Sequence, residues 1–163
     1  MNTPTHETPI ARVWYLRTAE DTGGRLHEQR VEYSPGSPFP PAHYHPAQDE
    51  YFEIESGSMV FVVGGEERVV EAGGSISIPA GTRHMARNAS QTDAAVVRWE
   101  TTPALRTGEF FSAMAALGSS ASVLDRAATA WHYRDVYRGT GALSVLTPVV
   151  SAVARAFGRR LTP

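Results

Sequence analysis

Residues 43–50 read HYHPAQDE. His43 and His45 stand two apart, and in a strand residues two apart project to the same face. Glu50 follows a segment, HPAQD, that reads as a turn or bulge, so its carboxylate can return from the neighbouring strand. His84 arrives later, after the tight turn PAGTRH at 79–84. Three imidazoles and one carboxylate, with no thiolate, suit a single borderline divalent transition metal: Fe, Mn, Ni, Co, Cu or Zn. Mg and Ca favour all-oxygen shells and do not match this donor set.

Strands must position these groups. Between residues 10 and 102, short apolar or alternating runs are divided by Gly, Pro, Asn and Asp. The runs are 10–16, 26–33, 49–56, 58–63, 66–72, 75–79, 84–89 and 94–101. Turn signals sit at SPG (34–36), GG (64–65), AGG (72–74) and PAG (79–81). Many short strands at this spacing predict an all-β sandwich or barrel.

Past Thr102-Pro103 the pattern becomes helical. Phe110, Met114 and Leu117 share one helical face, with Thr107 as N-cap and Gly118 as C-cap. Leu124, Ala127, Ala128 and Trp131 form the stripe of a second helix over 121–136. Thr147-Pro148 opens a third, to about Phe157. The expected organisation is a β-barrel domain with an N-terminal strand over 1–102. A helical extension over 103–163 then packs on the barrel or on a partner subunit.

Two longer motifs enclose the histidines. Gly36 to Gly57 reads G-x6-H-x-H-x4-E-x6-G, and Gly73 to Asn88 reads G-x5-P-x-G-x2-H-x3-N. This pair resembles the two conserved motifs of the cupin superfamily. The second matches at every defined position, and the first carries one extra residue between its glycine and first histidine. The spacer from Ser58 to Ala72 resembles that of compact microbial cupins. The resemblance implies a mainly β fold, a double-stranded β-helix (jelly-roll) barrel, with the C-terminal α-helical tail as an addition. It implies that His43, His45, Glu50 and His84 hold a metal near the barrel centre. It also gives Gly57, Gly73 and Gly81 to turns, and Asn88 to a turn or strand end.

Strand alternation selects pocket candidates. His27, Gln29, Val31 and Tyr33 share one face of 26–33, opposite Leu26, Glu28, Arg30 and Glu32. The charged set should be wet, which turns His27, Gln29 and Tyr33 toward the barrel. Phe52 and Ile54 share the parity of Glu50 and should wall the site, as should Met59 and Phe61. An inward Arg98 would imply an anionic substrate. Trp99 reads as core, and His6 and His132 as residues without a functional role.

The chain has 163 residues and a net charge of −2, with no basic run, so nucleic acid is not an expected partner. It has no cysteine, which excludes disulfides, thiolate metal sites and cysteine nucleophiles. The N-terminus does not read as a signal peptide, and no apolar run approaches the roughly 20 residues of a membrane span. A cytoplasmic protein is expected. A metal held by three histidines and one glutamate keeps positions open. Those positions suit a small organic molecule, and the resemblance to cupins implies an enzyme of dioxygenase, isomerase or cyclase type. A non-catalytic cupin that binds or senses a small ligand is the alternative. Large apolar groups on both faces of 10–16 and 58–63 lead to the expectation of a homodimer.

Overall fold

A computed structural model describes residues 3–118 and 120–140. Its strands, in chain order, are β1 (His6–Thr8), β2 (Ala11–Arg17), β3 (His27–Tyr33), β4 (His43–Tyr44), β5 (Asp49–Ser56), β6 (Ser58–Val63), β7 (Glu66–Glu71), β8 (Ser75–Ile78), β9 (His84–Asn88), β10 (Ala95–Thr102) and β11 (Arg138–Gly139). The helices are α1 (Ala19–Thr22), α2 (Thr107–Leu117) and α3 (Val123–His132). Strands β5 and β6 lie where alternation placed them, residue for residue, and the other predicted strands differ by one or two residues at their ends.

The strands form two antiparallel sheets. One runs β1-β2-β3-β10-β5-β8 and the other β11-β4-β9-β6-β7. This is the jelly-roll arrangement. Consecutive strands β5 and β6 belong to different sheets, and Gly57 makes the corner between them.

The core lies where the inner faces meet. Phe52, Ile54, Met59, Phe61, Ile78, Ala95 and Val97 pack there, with Tyr33, Ile76, Ala86 and Trp99 around them. Each fully buried Ile, Met or Phe contributes roughly 1.5–3 kcal/mol. Alternation carries this outcome: residues two apart on β3, β5 and β10 all turn inward together.

The outer face of the larger sheet is a charged lattice. Glu28 pairs with Arg17 and Arg98, Arg98 also reaches Glu53 and Glu100, Arg30 meets Glu55, and Arg12 meets Glu32. Glu28 is only 5 % exposed, so the charged face of β3 is drier than alternation suggested. The guanidinium groups of Arg17 and Arg98 pair with its two carboxylate oxygens there.

The chain start and the tail depart most from expectation. Residues 6–8 are a strand paired to β2, where the sequence showed no apolar run to mark one. Arg106, with no side-chain capping bond, precedes α2; Thr107 is its first residue rather than its cap. The second predicted helix is shorter, Val123–His132, and begins at a Ser122–Asp125 capping box. The chain then returns to the barrel as β11, beside β4. The third predicted helix lies outside the described residues. Within them, no helix is long and apolar enough to cross a membrane.

Candidate metal centre

His43 and His45 flank Tyr44 at β4, and β9 delivers His84 directly opposite His43. Their ligand nitrogens all lie within 4.8 Å of one another. The turn between β8 and β9 is fixed twice to the strands that carry the other candidates. Asp49 Oδ1 accepts from the Ala80 N–H at 2.8 Å, and the Gly81 N–H donates to His45 O at 2.8 Å. Asn88, fully buried at the far end of β9, donates to the carbonyls of Tyr33, Ser34 and Asp93. It holds a strand end, as the sequence motif implied.

Each imidazole is oriented by a backbone carbonyl at Nδ1. Pro41 O accepts from His43 at 2.9 Å, Val136 O from His45 at 2.7 Å and Thr82 O from His84 at 2.9 Å. A carbonyl can only accept, so in the neutral ring the proton sits on Nδ1 and Nε2 keeps its lone pair. Three Nε2 lone pairs are thereby fixed in direction.

Glu50 of β5 lies beside two of these rings, outside the three-histidine cluster. Its Oε1 lies 3.1 Å from His45 Nε2 and its Oε2 lies 2.9 Å from His84 Nε2. His45 Nε2 and Glu50 Oε2 are nevertheless buried without a hydrogen bond. Buried polar atoms lacking partners are rare in folded proteins and call for an explanation. A divalent cation shared among these donors is one, so the residues present fit the group.

The charge preferences differ from ring to ring. Burial, helped by His84 and His45 nearby, pushes His43 down to about 3, so it is neutral at ordinary pH. Burial works against charge on Glu50, but His45 and His84 more than offset it and hold the carboxyl well below its usual range. Burial also opposes charge on His45, and Glu50 outweighs it, raising the imidazole above its ordinary value.

The pocket candidates divide. His27 and Gln29 are buried at 1 % exposure, with His27 Nε2 and Gln29 Oε1 3.3 Å apart and His27 Nδ1 unpartnered. Tyr33 packs on the core, and burial with the charge of Glu50 pushes its phenol up. Phe52 and Phe61 meet edge to face, ring centres 5.2 Å apart. Arg98 is a correction. It lies on the outer face, paired with Glu28, because β10 turns Val97, Trp99 and Thr101 inward.

Several contributors escaped the sequence reading. Trp99, read as core, donates its indole N–H to Glu50 Oε1. Its parity with Thr101, which pairs with Glu50 across the strands, was the available signal. Val136 and Tyr137 of the tail reach the histidines with no local motif to announce them. His6 has a structural place away from the centre: its Nε2 lies 3.1 Å from the Tyr15 hydroxyl and 3.2 Å from Ser112 Oγ. Gln48, 1 % exposed, donates to Pro103 O, Ala104 O and Thr107 Oγ1 and so ties the barrel to α2. A groove of 260 Å³, lined by Asp49, Tyr51, Ser77, Pro79, Glu100 and Thr102 among others, adjoins β5 and includes none of the three histidines.

The Cupin domain family model matches residues 29–99, which contain all four candidate ligands. The match covers under half of the chain and supports a likeness of its barrel to the cupin superfamily. Solved structures share this fold. A predicted oxalate decarboxylase from Thermotoga maritima has a TM-score of 0.57 at 19% identity, over 62% of this chain and 92% of that one. An RmlC-like cupin from Shewanella frigidimarina has a TM-score of 0.54 at 17% identity, over 64% and 88%. KdgF from Halomonas sp. has 0.52 at 19% identity, over 62% and 86%. At such identities the likeness speaks for the fold alone. No curated protein matches the sequence.

Proposed function

We propose that this protein is a small-molecule metalloenzyme of dioxygenase, isomerase or cyclase type. Its centre is one divalent transition metal (Fe, Mn, Ni, Co, Cu or Zn) held by His43, His45, His84 and Glu50. The supporting observation is the set of three Nδ1–carbonyl bonds that leave three Nε2 lone pairs close together beside a buried carboxylate. When bound, the ion supplies a Lewis acid with positions open to a substrate oxygen. The chain's own groups do the rest. The carbonyls fix tautomer and ring orientation, and Trp99 holds Glu50. Phe52 and Phe61 exclude water and favour a small organic molecule. Elemental analysis of wild type and of His84→Ala tests the centre, followed by oxygen uptake against a panel of enols and phenols. A stoichiometric ion in the wild type and its loss in the variant are expected. Retention at unchanged affinity in His84→Ala refutes the ligand set.

The second reading is a non-catalytic ligand-binding cupin with a structural metal. One observation favours it: the Tyr137 ring stacks on His43, 4.6 Å between centres, and narrows that side of the centre. Structural ions are enclosed, whereas catalytic ones keep an open position. Tightly held Zn with neither oxygen uptake nor turnover would select this reading.

For assembly we propose a cytoplasmic homodimer. Ile10 and Leu16, at the two ends of β2, are 45 % and 48 % exposed. The inner side of β2 is already covered, since the Tyr15 hydroxyl donates to Gly108 O of α2. On the β2 side of the charged lattice, Ile10 and Leu16 are thus the exposed large apolar groups. Sedimentation at micromolar concentration decides: a mass near 17.7 kDa would refute the dimer.

A further inference from the structure

Two candidate ligands are oriented from nearby: the acceptors for His43 and His84, Pro41 O and Thr82 O, lie two residues upstream. His45 is different. Its acceptor, Val136 O, stands 91 residues later, beyond α3. The ring of a residue at the heart of the centre is therefore aimed by the tail.

The strand carrying the histidines also depends on the tail. β4 is two residues long and pairs with β9 at one position, His43 opposite His84. Its other edge is taken by β11, with Arg138 opposite Tyr44 and Gly139 opposite His43. The Thr140 N–H extends this pairing to Ala42 O at 2.8 Å. A two-residue strand paired on one side alone would be weakly fixed.

The segment is anchored outside the centre. Val136 is fully buried, and Phe110 of α2 stacks on Tyr137 with ring centres 5.0 Å apart. Arg106 grips the same segment. It donates to both carboxylate oxygens of Asp135 and to His132 O, and its guanidinium lies 4.8 Å over the Tyr133 ring.

We propose that residues 133–140 form a strap belonging to the metal centre, with the Val136 carbonyl as the positioning group for His45, so that ion binding and strap docking reinforce each other. This rests on the metal reading given above. Because coupling is reciprocal, the ion should tighten the strap and a loosened strap should weaken the ion. Groups that orient a ligand imidazole typically change metal affinity 10–100-fold when removed.

The experiment uses the full chain and Co2+, whose visible absorption reports ligand geometry. Hydrogen exchange of the wild type, with and without Co2+, should show added protection over 133–140. Arg106→Ala touches no ligand and frees the far end of the strap. It should speed exchange at 133–140, lower Co2+ affinity about 10–100-fold and alter the Co2+ spectrum, while β5 and β10 keep their protection. Phe110→Leu, which trims the stacking on Tyr137, should act in the same direction. Strap exchange that ignores bound Co2+ overturns the proposal and leaves the metal reading intact. So does a faster-exchanging strap with parental affinity and spectrum. Failure of the wild type to bind Co2+ at all overturns both.

Discussion

The indole N–H of Trp99 donates to Glu50 Oε1 at 3.1 Å, across the paired strands β10 and β5 of the larger sheet. The same ring stacks on Phe52 at 5.0 Å and meets Phe111 of α2 edge-on at 5.2 Å. One side chain therefore serves both the core and the carboxylate. Trp99→Phe separates these roles, because it keeps the aromatic contacts and removes the donor. Zn2+ affinity should drop about 10-fold, the lower end of what a lost orienting bond causes. Calorimetric titration measures this. An unchanged affinity would show that the indole bond does nothing for Glu50.

Glu28 gives a pH-dependent prediction away from the centre. Burial alone would raise its carboxyl, but hydrogen bonds from Arg17 and Arg98 more than offset this and hold it below its ordinary value. A depressed carboxylate stabilises the fold above its unfolded pKa, and that stability is lost as pH falls through the folded value. Glu28→Gln should therefore cost about 1.5–3 kcal/mol at pH 7. The lower end applies, because Arg17 is 48% exposed and solvent screens it. The gap between variant and parent should close as pH falls below about 4. Urea unfolding at neutral and acid pH checks it; a gap that persists at low pH would mean that packing, not charge, is what the substitution disturbs.

Much of the barrel was legible because its strands alternate. DEYFEIES states which residues turn inward, whereas SMVFVV is apolar on both faces, and glycines mark the corners. The histidine set was legible for the same reason, since spacing of two means one face. Non-local partners were not. His6–Thr8 has no apolar alternation, and its place in the sheet comes from pairing with β2. Around β10, Ala95-Val97-Trp99 is wholly apolar and Ala94-Val96-Arg98 apolar at two of three positions, so Arg98 and Trp99 could not be assigned to faces until β3 and β5 flanked them. Val136 acts through its carbonyl, which every residue type possesses, so no side-chain pattern could have pointed to it.

Gln48 sets how firmly the helical extension sits on the barrel. Its amide nitrogen donates to three acceptors around the start of α2, at 2.8 to 3.1 Å. Gln48→Leu keeps the bulk and removes the donors, leaving buried acceptors unpaired at about 1–3 kcal/mol. Exchange of the α2 amides should rise more than that of β5 and β6. Equal changes throughout would show that the extension and barrel open as a single unit.

Gly57 and Gly73 separate backbone strain from steric clash. Both have positive φ, +74° and +83°. A Cβ at Gly73 would meet nothing within 4 Å, whereas at Gly57 it would lie 2.8 Å from Ala94 O and 2.9 Å from Ala95 Cα. Those two atoms are backbone at the start of β10 and cannot swing away as a side chain tip could. Gly73→Ala should therefore show only the left-handed penalty, roughly 1–2 kcal/mol. Gly57→Ala adds the clash, and relieving it means displacing β10 from the corner between the sheets, so its loss should exceed that of Gly73→Ala by at least about 1 kcal/mol. Thermal unfolding of the two variants side by side makes the comparison, and equal losses would mean that the corner yields without disturbing β10.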